Sequence, residues 1–186
     1  RYAADIRHLP MTVSVVGRPE IEQRQESSLL PLLTEQVPGL FVTSRGVMGY
    51  GVSTGAAGGM SLRGLGGGAT SQMLVLIDGQ PQYMGIFGHP IADACQSMLA
   101  ERVEVVRGPA SVLYGSNAMG GVINIVTRRQ AEEGIRTDLN VGYGSWNTLQ
   151  TEAANRIRKG RFSSVVTASY NRTDGHRADM GFEQYG

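Results

Sequence analysis

From Ile135 to Asn171 the chain alternates with a period of two, and this alternation restricts its fold more than any other feature. Ile135, Thr137, Leu139, Val141 and Tyr143 fall on one side, while Arg136, Asp138, Asn140 and Gly142 fall on the other. A break at Trp146-Asn147 precedes Thr148 to Arg158, where Leu149, Thr151, Ala153 and Ile157 share a face. Lys159-Gly160 makes a second tight turn. Phe162, Ser164, Val166, Ala168 and Tyr170 then alternate against Arg161, Ser163, Val165, Thr167, Ser169 and Asn171. Period two marks a strand, because successive side chains point to opposite faces. Such strands, joined by tight turns, make an antiparallel meander. A soluble sheet can bury its apolar face on a core; a membrane barrel can turn that face to lipid and satisfy its backbone by closure. Tyr143, Trp146 and Tyr170 lie near strand ends, where interfacial aromatics belong. Periodicity leaves both structures open. Closing a membrane barrel takes at least about 8 strands, so the barrel reading implies further strands beyond these.

Upstream the texture changes, and the boundary is set at residues 130/131: a first domain over 1–130 and strands over 131–186. Glycine, with 26 occurrences, is about twice its average usage of roughly 7% and lacks a collagen period. Thr12 to Val16 reads as a strand, and Pro19 stands where a helix can begin. Ser27 or Ser28 suits the cap of a second helix through Gln36, ended by Pro38-Gly39. Leu40 to Thr43 is a short strand. Gly46 to Gly59 is too weakly apolar for a core and reads as a mobile loop. Met73 to Ile77 is the strongest apolar strand, closed by the turn pair Asp78-Gly79. Asp93 is expected to cap a helix through Ala100. Val103 to Val106 is a strand, Gly108-Pro109 opens one helical turn that Gly115 stops, and Val122 to Thr127 is the last strand. The fold class is α+β, a small mixed sheet with short helices, followed by antiparallel strands.

A formal charge of +1 gives no footprint for nucleic acid, and no apolar run reaches the length of a membrane helix. The single cysteine, Cys95, excludes an internal disulfide framework. The chain starts at Arg1 without methionine or leader, as expected of a processed or excised piece.

Ser61 to Gly68 read SLRGLGGG, Leu74 to Pro81 LVLIDGQP, Val103 to Ser116 VEVVRGPASVLYGS, and Asn117 to Arg129 NAMGGVINIVTRR. In this order and spacing they resemble the plug domain of the TonB-dependent outer-membrane receptors, and LLPLLTEQVPGLFV (Leu29 to Val42) is similar to the helix and strand before that family's first apical loop. The resemblance covers roughly residues 10 to 129. It implies a plug inside a barrel of about 22 strands, in the outer membrane of a Gram-negative bacterium, facing the periplasm and the barrel lumen. It further implies energy-coupled import of a scarce ligand (a ferric siderophore, haem, cobalamin or other chelate) with TonB as the periplasmic partner and lipid around the barrel. By the same resemblance, the strands after residue 131 are the first of an incomplete barrel. RYAADIRHL (residues 1 to 9) does not match a TonB box, which is expected upstream.

Arg63 and Arg107 each lie between an apolar strand and a glycine, where a guanidinium is buried unless carboxylates meet it. The resemblance implies that both are plug–barrel latches, paired with glutamates on the barrel wall; the alternative is a strand-end residue at a solvated rim. Ligand-contact candidates are Tyr50 in the Gly46 to Gly59 loop, and Tyr83, Met84, Phe87 and His89 after the Asp78-Gly79 turn.

Cys95, Met98, Met84 and His89 would suit copper, and a copper-import receptor stands as an alternative. Cys95 and Met98 at i, i+3 read first as the buried stripe of a short helix, where both residues are common. No resident metal or cofactor is expected. Gly64 to Ala69 fits GxGxxG/A but leads into a strand, where no helix N-terminus holds a pyrophosphate. With no GxSxG, HExxH or CxxC, the chain is read as a non-enzyme. A soluble periplasmic binding module derived from a plug is the remaining rival, and it requires the apolar faces of 135–173 to be buried on the plug.

Overall fold

In a computed structural model, the described residues are 12–24, 26, 28–42, 60–66, 73–82, 95–108, 114, 118–176 and 181–185. They form three sheets and two short helices. Strand β1 (Thr12–Val16) leads into α1 (Arg18–Arg24). Pro19 occupies the first turn, where its missing N–H costs nothing, and the Glu20 carboxylate accepts the Gly17 N–H at 3.1 Å, one half of a capping box. Helix α2 (Leu30–Gln36) carries Pro31 in its first turn. The Ser28 hydroxyl accepts the Leu30 N–H at 3.2 Å, so the expected serine serves the helix start, although the cap position itself is Leu29. Val37 closes the helix by donating to the Leu33 carbonyl, and Gly39, at φ 81°, turns the chain into β2 (Leu40–Val42).

The central sheet has the order β1-β7-β8-β5-β6, with β5 (Met73–Ile77), β6 (Gln80–Pro81), β7 (Ala100–Arg107) and β8 (Gly121–Thr127). Strands β5 and β8 are parallel; the other pairs are antiparallel. The sheet is buried on both faces. Val75, Val103, Val105, Ile123 and Ile125 pack with Leu30 and Leu33 of α2, and Leu74, Leu76 and Val122 form a second cluster with Ala118. Burial on both sides explains why Met73 to Ile77 is continuously apolar rather than alternating. A small sheet of β2, β3 (Met60–Leu62) and β4 (Leu65–Gly66) adds Leu40, Met60 and Leu62 to the first cluster.

The helix expected up to Ala100 is not found in its described part. Gln96 bridges Ser28, residues 97–99 form a turn, and Ala100 begins β7. The reason is competition for carbonyls: Cys95 O accepts Leu29 N–H, and Ser97 O and Ala100 O accept the Arg18 guanidinium, each at 2.9 Å for Arg18. Asp93 lies outside the described residues, as does the 109–115 turn apart from Tyr114, which is helical.

Strands β9 (Gly134–Gly144), β10 (Thr148–Lys159) and β11 (Phe162–Thr173) span 11, 12 and 12 residues, and β12 (Phe182–Tyr185) follows. They form an antiparallel sheet in the order β12-β11-β10-β9. Trp146 and Asn147 turn β9 into β10 at φ 55° and 53°, and Gly160 turns β10 into β11 at φ 58°.

Candidate functional site

The register sorts the two faces of this sheet. Ile135 faces Ile157, Leu139 faces Ala153, Val141 faces Thr151 and Tyr143 faces Leu149, so the apolar residues stack across strands. This face points outward: Ile135, Leu139, Val141, Tyr143, Phe162 and Val166 are all exposed. The opposite face carries Asp138, Asn140, Glu152, Arg156 and Asn171 and lies against the first domain. Glu152 and Arg156 are 3% and 4% exposed, whereas Leu139 is 69% exposed. A soluble meander would do the reverse. The faces that a soluble binding module has to bury are therefore the open ones.

The polar interface is built from both domains. Arg18 on α1 holds the turn before β7 through Ser97 O and Ala100 O, and pairs with Glu22 at 2.7 Å. That hydrogen bond holds the Glu22 carboxyl below the ordinary carboxylate range, against a smaller opposing effect of burial. Glu22 of α1 and Ser97 face Asn140 and Glu152 of the strand wall across a cavity of about 200 Å³ that Ile21 and Met98 also line. The Asn140 amide donates to the Glu152 carboxylate at 3.4 Å. On the next rung, Asp138 receives Arg156, Arg128 at 3.4 Å and Arg136 at 3.6 Å. Arg128 is the first-domain member. Burial, then the charges of Arg18 and Arg156, lower its pKa, while Asp138 and Glu22 oppose them; a guanidinium remains charged throughout. Further contacts fasten the crossing between domains: Arg158 donates to Gln130 O and Ala131 O, and Gly160 N–H to Glu133. Thr167 donates to Gln96 at 3.2 Å.

A second polar chain stiffens the central sheet. The Asp78 carboxylate accepts the Thr127 N–H at 3.0 Å and the Thr127 hydroxyl at 2.6 Å. Burial of Asp78 opposes its ionisation, but these bonds and Arg129 outweigh it, so the carboxyl lies below its usual range. Asn124 accepts Gly79 N–H and donates to Glu104.

Arg63 and Arg107 come from neighbouring backbone. Arg107 ends β7 and faces Gly121 in register. Leu62, the residue before Arg63, packs so closely on Gly121 that a Cβ there would meet Leu62 Cδ2 at 2.6 Å and Val106 O at 2.5 Å. Arg63 sits in the turn at φ 54°, its N–H bonded to Gly39 O at 2.8 Å, with its side chain exposed. Arg107 is half-buried, and its Nε is buried without a hydrogen-bond partner among the described residues. Arg107 is thus the more enclosed of the two, half-buried where Arg63 is exposed. Tyr50, Tyr83, Met84, Phe87 and His89 lie outside the described residues. Cys95 belongs to the apolar core, but the helix expected to carry it with Met98 is absent from the described residues and Met98 is only partly buried; no cluster of three His, Cys, Asp or Glu suits a metal among the described residues.

Arg18, Arg128, Asp138, Glu152 and Arg156 were not singled out as site residues by the sequence. For Asp138, Glu152 and Arg156 the signal is the charged half of the alternation, which reads equally well as a solvated face until something packs on it; Arg18 and Arg128 lie outside the alternating segment and carry no such signal.

A mixed sheet against the polar side of strands whose apolar side faces outward is consistent with a plug domain beside part of a membrane β-barrel. The model of the TonB-dependent receptor plug domain matches residues 5–122, and the chain belongs to that family. It is 37% identical over 139 residues to an iron-regulated outer membrane virulence protein of Vibrio cholerae, covering 71% of this chain and 19% of the relative. It is 31% identical over 170 residues to the vitamin B12 transporter BtuB of Vibrio vulnificus, covering 90% of this chain and 26% of the relative. The chain therefore spans a fifth to a quarter of the length of these relatives. Among solved structures, the pyoverdine outer membrane receptor FpvA of Pseudomonas aeruginosa superposes with a TM-score of 0.67 at 18% identity, over 90% of this chain and 23% of that one. The ferric yersiniabactin uptake receptor FyuA of Yersinia pestis gives 0.63 at 22%, over 88% and 24%. These structural likenesses carry the fold alone. The family is one of outer-membrane transport receptors of Gram-negative bacteria rather than enzymes.

Proposed function

We propose that residues 1–130 are the plug, and residues 131–186 the first barrel strands, of a receptor that takes a scarce ligand from outside and admits it by energy-coupled import. The observation that carries this reading is the inversion of the strand wall: apolar Leu139 and Tyr143 open, polar Glu152 and Arg156 buried against the first domain. A wall of that kind needs lipid outside and a polar filling inside. The ligand class is a metal chelate or corrinoid: a ferric siderophore, haem or cobalamin. TonB is the proposed periplasmic partner, acting on a segment N-terminal to β1. Arg63 and Arg107 are proposed as latches whose counter-charges come from the remaining barrel wall, and the buried Nε of Arg107, without a hydrogen bond among the described residues, supports that role. Tyr50, Tyr83, Met84, Phe87 and His89 are proposed ligand contacts. No catalytic step belongs to this reading.

The test uses the full-length receptor. Its partition into liposomes is measured first, and then cellular accumulation of ferric siderophores, haem and cobalamin with Arg107→Ala beside wild type. A membrane-inserted protein whose uptake of one probe changes in the variant supports the reading. A parent that stays in the aqueous phase overturns it and promotes the soluble binding module.

A further inference from the structure

The rung at Asp138 has an unusual charge balance. Arg136 and Arg156 come from the wall and Arg128 from the end of the plug, yet all three converge on one carboxylate. The side chains of Arg128 and Arg156 are only 11% and 5% exposed. The Nε atoms of both are buried without a hydrogen bond among the described residues, although Arg128 Nε also lies 3.9 Å from Glu101. Buried like charges are held together only while their counter-charge is present. The next rung along the same face, Asn140 opposite Glu152, borders the cavity between wall and plug, and Arg18, Ile21, Glu22, Glu26, Ser97 and Met98 form its plug side. Asp138 does not line that cavity itself; it stands one rung further along the same face, on the side where the chain crosses from plug to wall.

We propose that Asp138 closes the plug against the barrel wall at this point, and that the cavity beside it is a hydrated stretch that becomes a leak for small ions when the closure fails. Asp138 is a positioning residue: it pulls Arg128, and with it the end of β8, onto the wall against the repulsion of Arg136 and Arg156. This closure is separate from the Arg63 and Arg107 latch, because every member of it lies within the plug-to-wall junction of this chain. The inference rests on the barrel reading of residues 131–186.

Ion conductance of the full-length receptor in planar bilayers, with potassium chloride as the probe and no energy source, tests it. Wild type inserts and stays tight; if wild type fails to insert, the barrel reading itself has failed, and the closure with it. Asp138→Asn raises the conductance about tenfold, as expected when a closing contact is lost from a two-state equilibrium, and Asp138→Glu returns it to the wild-type level. Arg128→Gln, which leaves the wall pair of Asp138 and Arg156 intact, leaks as well; it decides the matter if Asp138→Asn fails to reach the membrane. A residue that merely stabilised the β9–β10 hairpin would leave Arg128→Gln tight. That result, a tight Asp138→Asn in a folded barrel, or equal leaks from the Asn and Glu variants overturns the proposal.

Discussion

Asp138 and Arg156 pair diagonally across the β9–β10 hairpin: in register Asp138 faces Ala154, and Arg156 faces Arg136. The wall thus sets two arginines directly opposite each other, an arrangement that destabilises a sheet, and relieves it through the carboxylate one rung away. The small Ala154, 1% exposed, leaves room for that reach.

This relationship predicts unequal effects at two neighbouring positions. Asp138→Ala strands the buried Arg156 and costs about 3 kcal/mol, the lower end for breaking a buried pair. Arg136→Ala removes the exposed member of the like-charged pair and stays within about 0.5 kcal/mol of wild type. Urea titration of the full-length receptor in detergent, followed by tryptophan emission, checks the order.

Leu139→Arg places a charge in the middle of β9 on the outward face. In lipid it lowers folding stability by about 2–4 kcal/mol, read as reduced insertion into liposomes. In a soluble sheet the same change at a residue 69% exposed would be close to neutral.

At Gly121 the backbone sits at φ 150°, and an added Cβ meets Val106 O and Leu62 Cδ2 at 2.5 and 2.6 Å. Gly121→Ala therefore forces β3 away from β8 and costs about 1–3 kcal/mol, as overpacking does. Gly64→Ala, with nothing within 4 Å but φ 80°, pays only the backbone strain of about 1–2 kcal/mol. Hydrogen exchange in β8 separates the two: faster for Gly121→Ala, near wild type for Gly64→Ala.

Acid loosens the junction of β5 and β8. The folded Asp78 carboxyl is held below its ordinary range of about 4, so its contribution is complete above that value and is lost as pH falls through the lower folded pKa. Amide exchange at Asp78 and Thr127 rises in that acid window for wild type. Asp78→Asn flattens this pH dependence and lowers stability at neutral pH.

The isolated 186-residue chain is expected to self-associate. Among the described residues, strands β9 and β12 end their sheet with unpaired edges, and the outward face is apolar, the combination that templates association. Analytical ultracentrifugation with and without detergent checks it; a monomer whose β9–β12 amides are protected counts against it.

Much of the architecture was written in local signals. Strand β5 followed from an uninterrupted apolar run ended by Asp78-Gly79, and α1 from Pro19 in a first turn. Where local signals misled, long-range bonds explain why. Asp93 to Ala100 reads as a helix, yet Leu29 and Arg18 capture the carbonyls of Cys95, Ser97 and Ala100, and β7 takes over at Ala100. Arg63 has the same strand-then-glycine context as Arg107, but a tight turn leaves it exposed, while Arg107 lies in a central strand between β1 and β8.

The sequence by itself determined which residues share a face, because the pleat repeats every two residues and the tight turns at Trp146-Asn147 and Lys159-Gly160 fix the register. It also carried the motifs of the plug. It did not determine which face looks inward, since alternation is symmetric and an apolar row is satisfied equally by a core or by lipid. Only the tertiary structure decided that, by setting Arg18, Arg128 and Gln96 of the plug against Glu152, Asp138 and Thr167. Buried charges gathered there need counter-charges close by, and residues far apart in sequence supplied them.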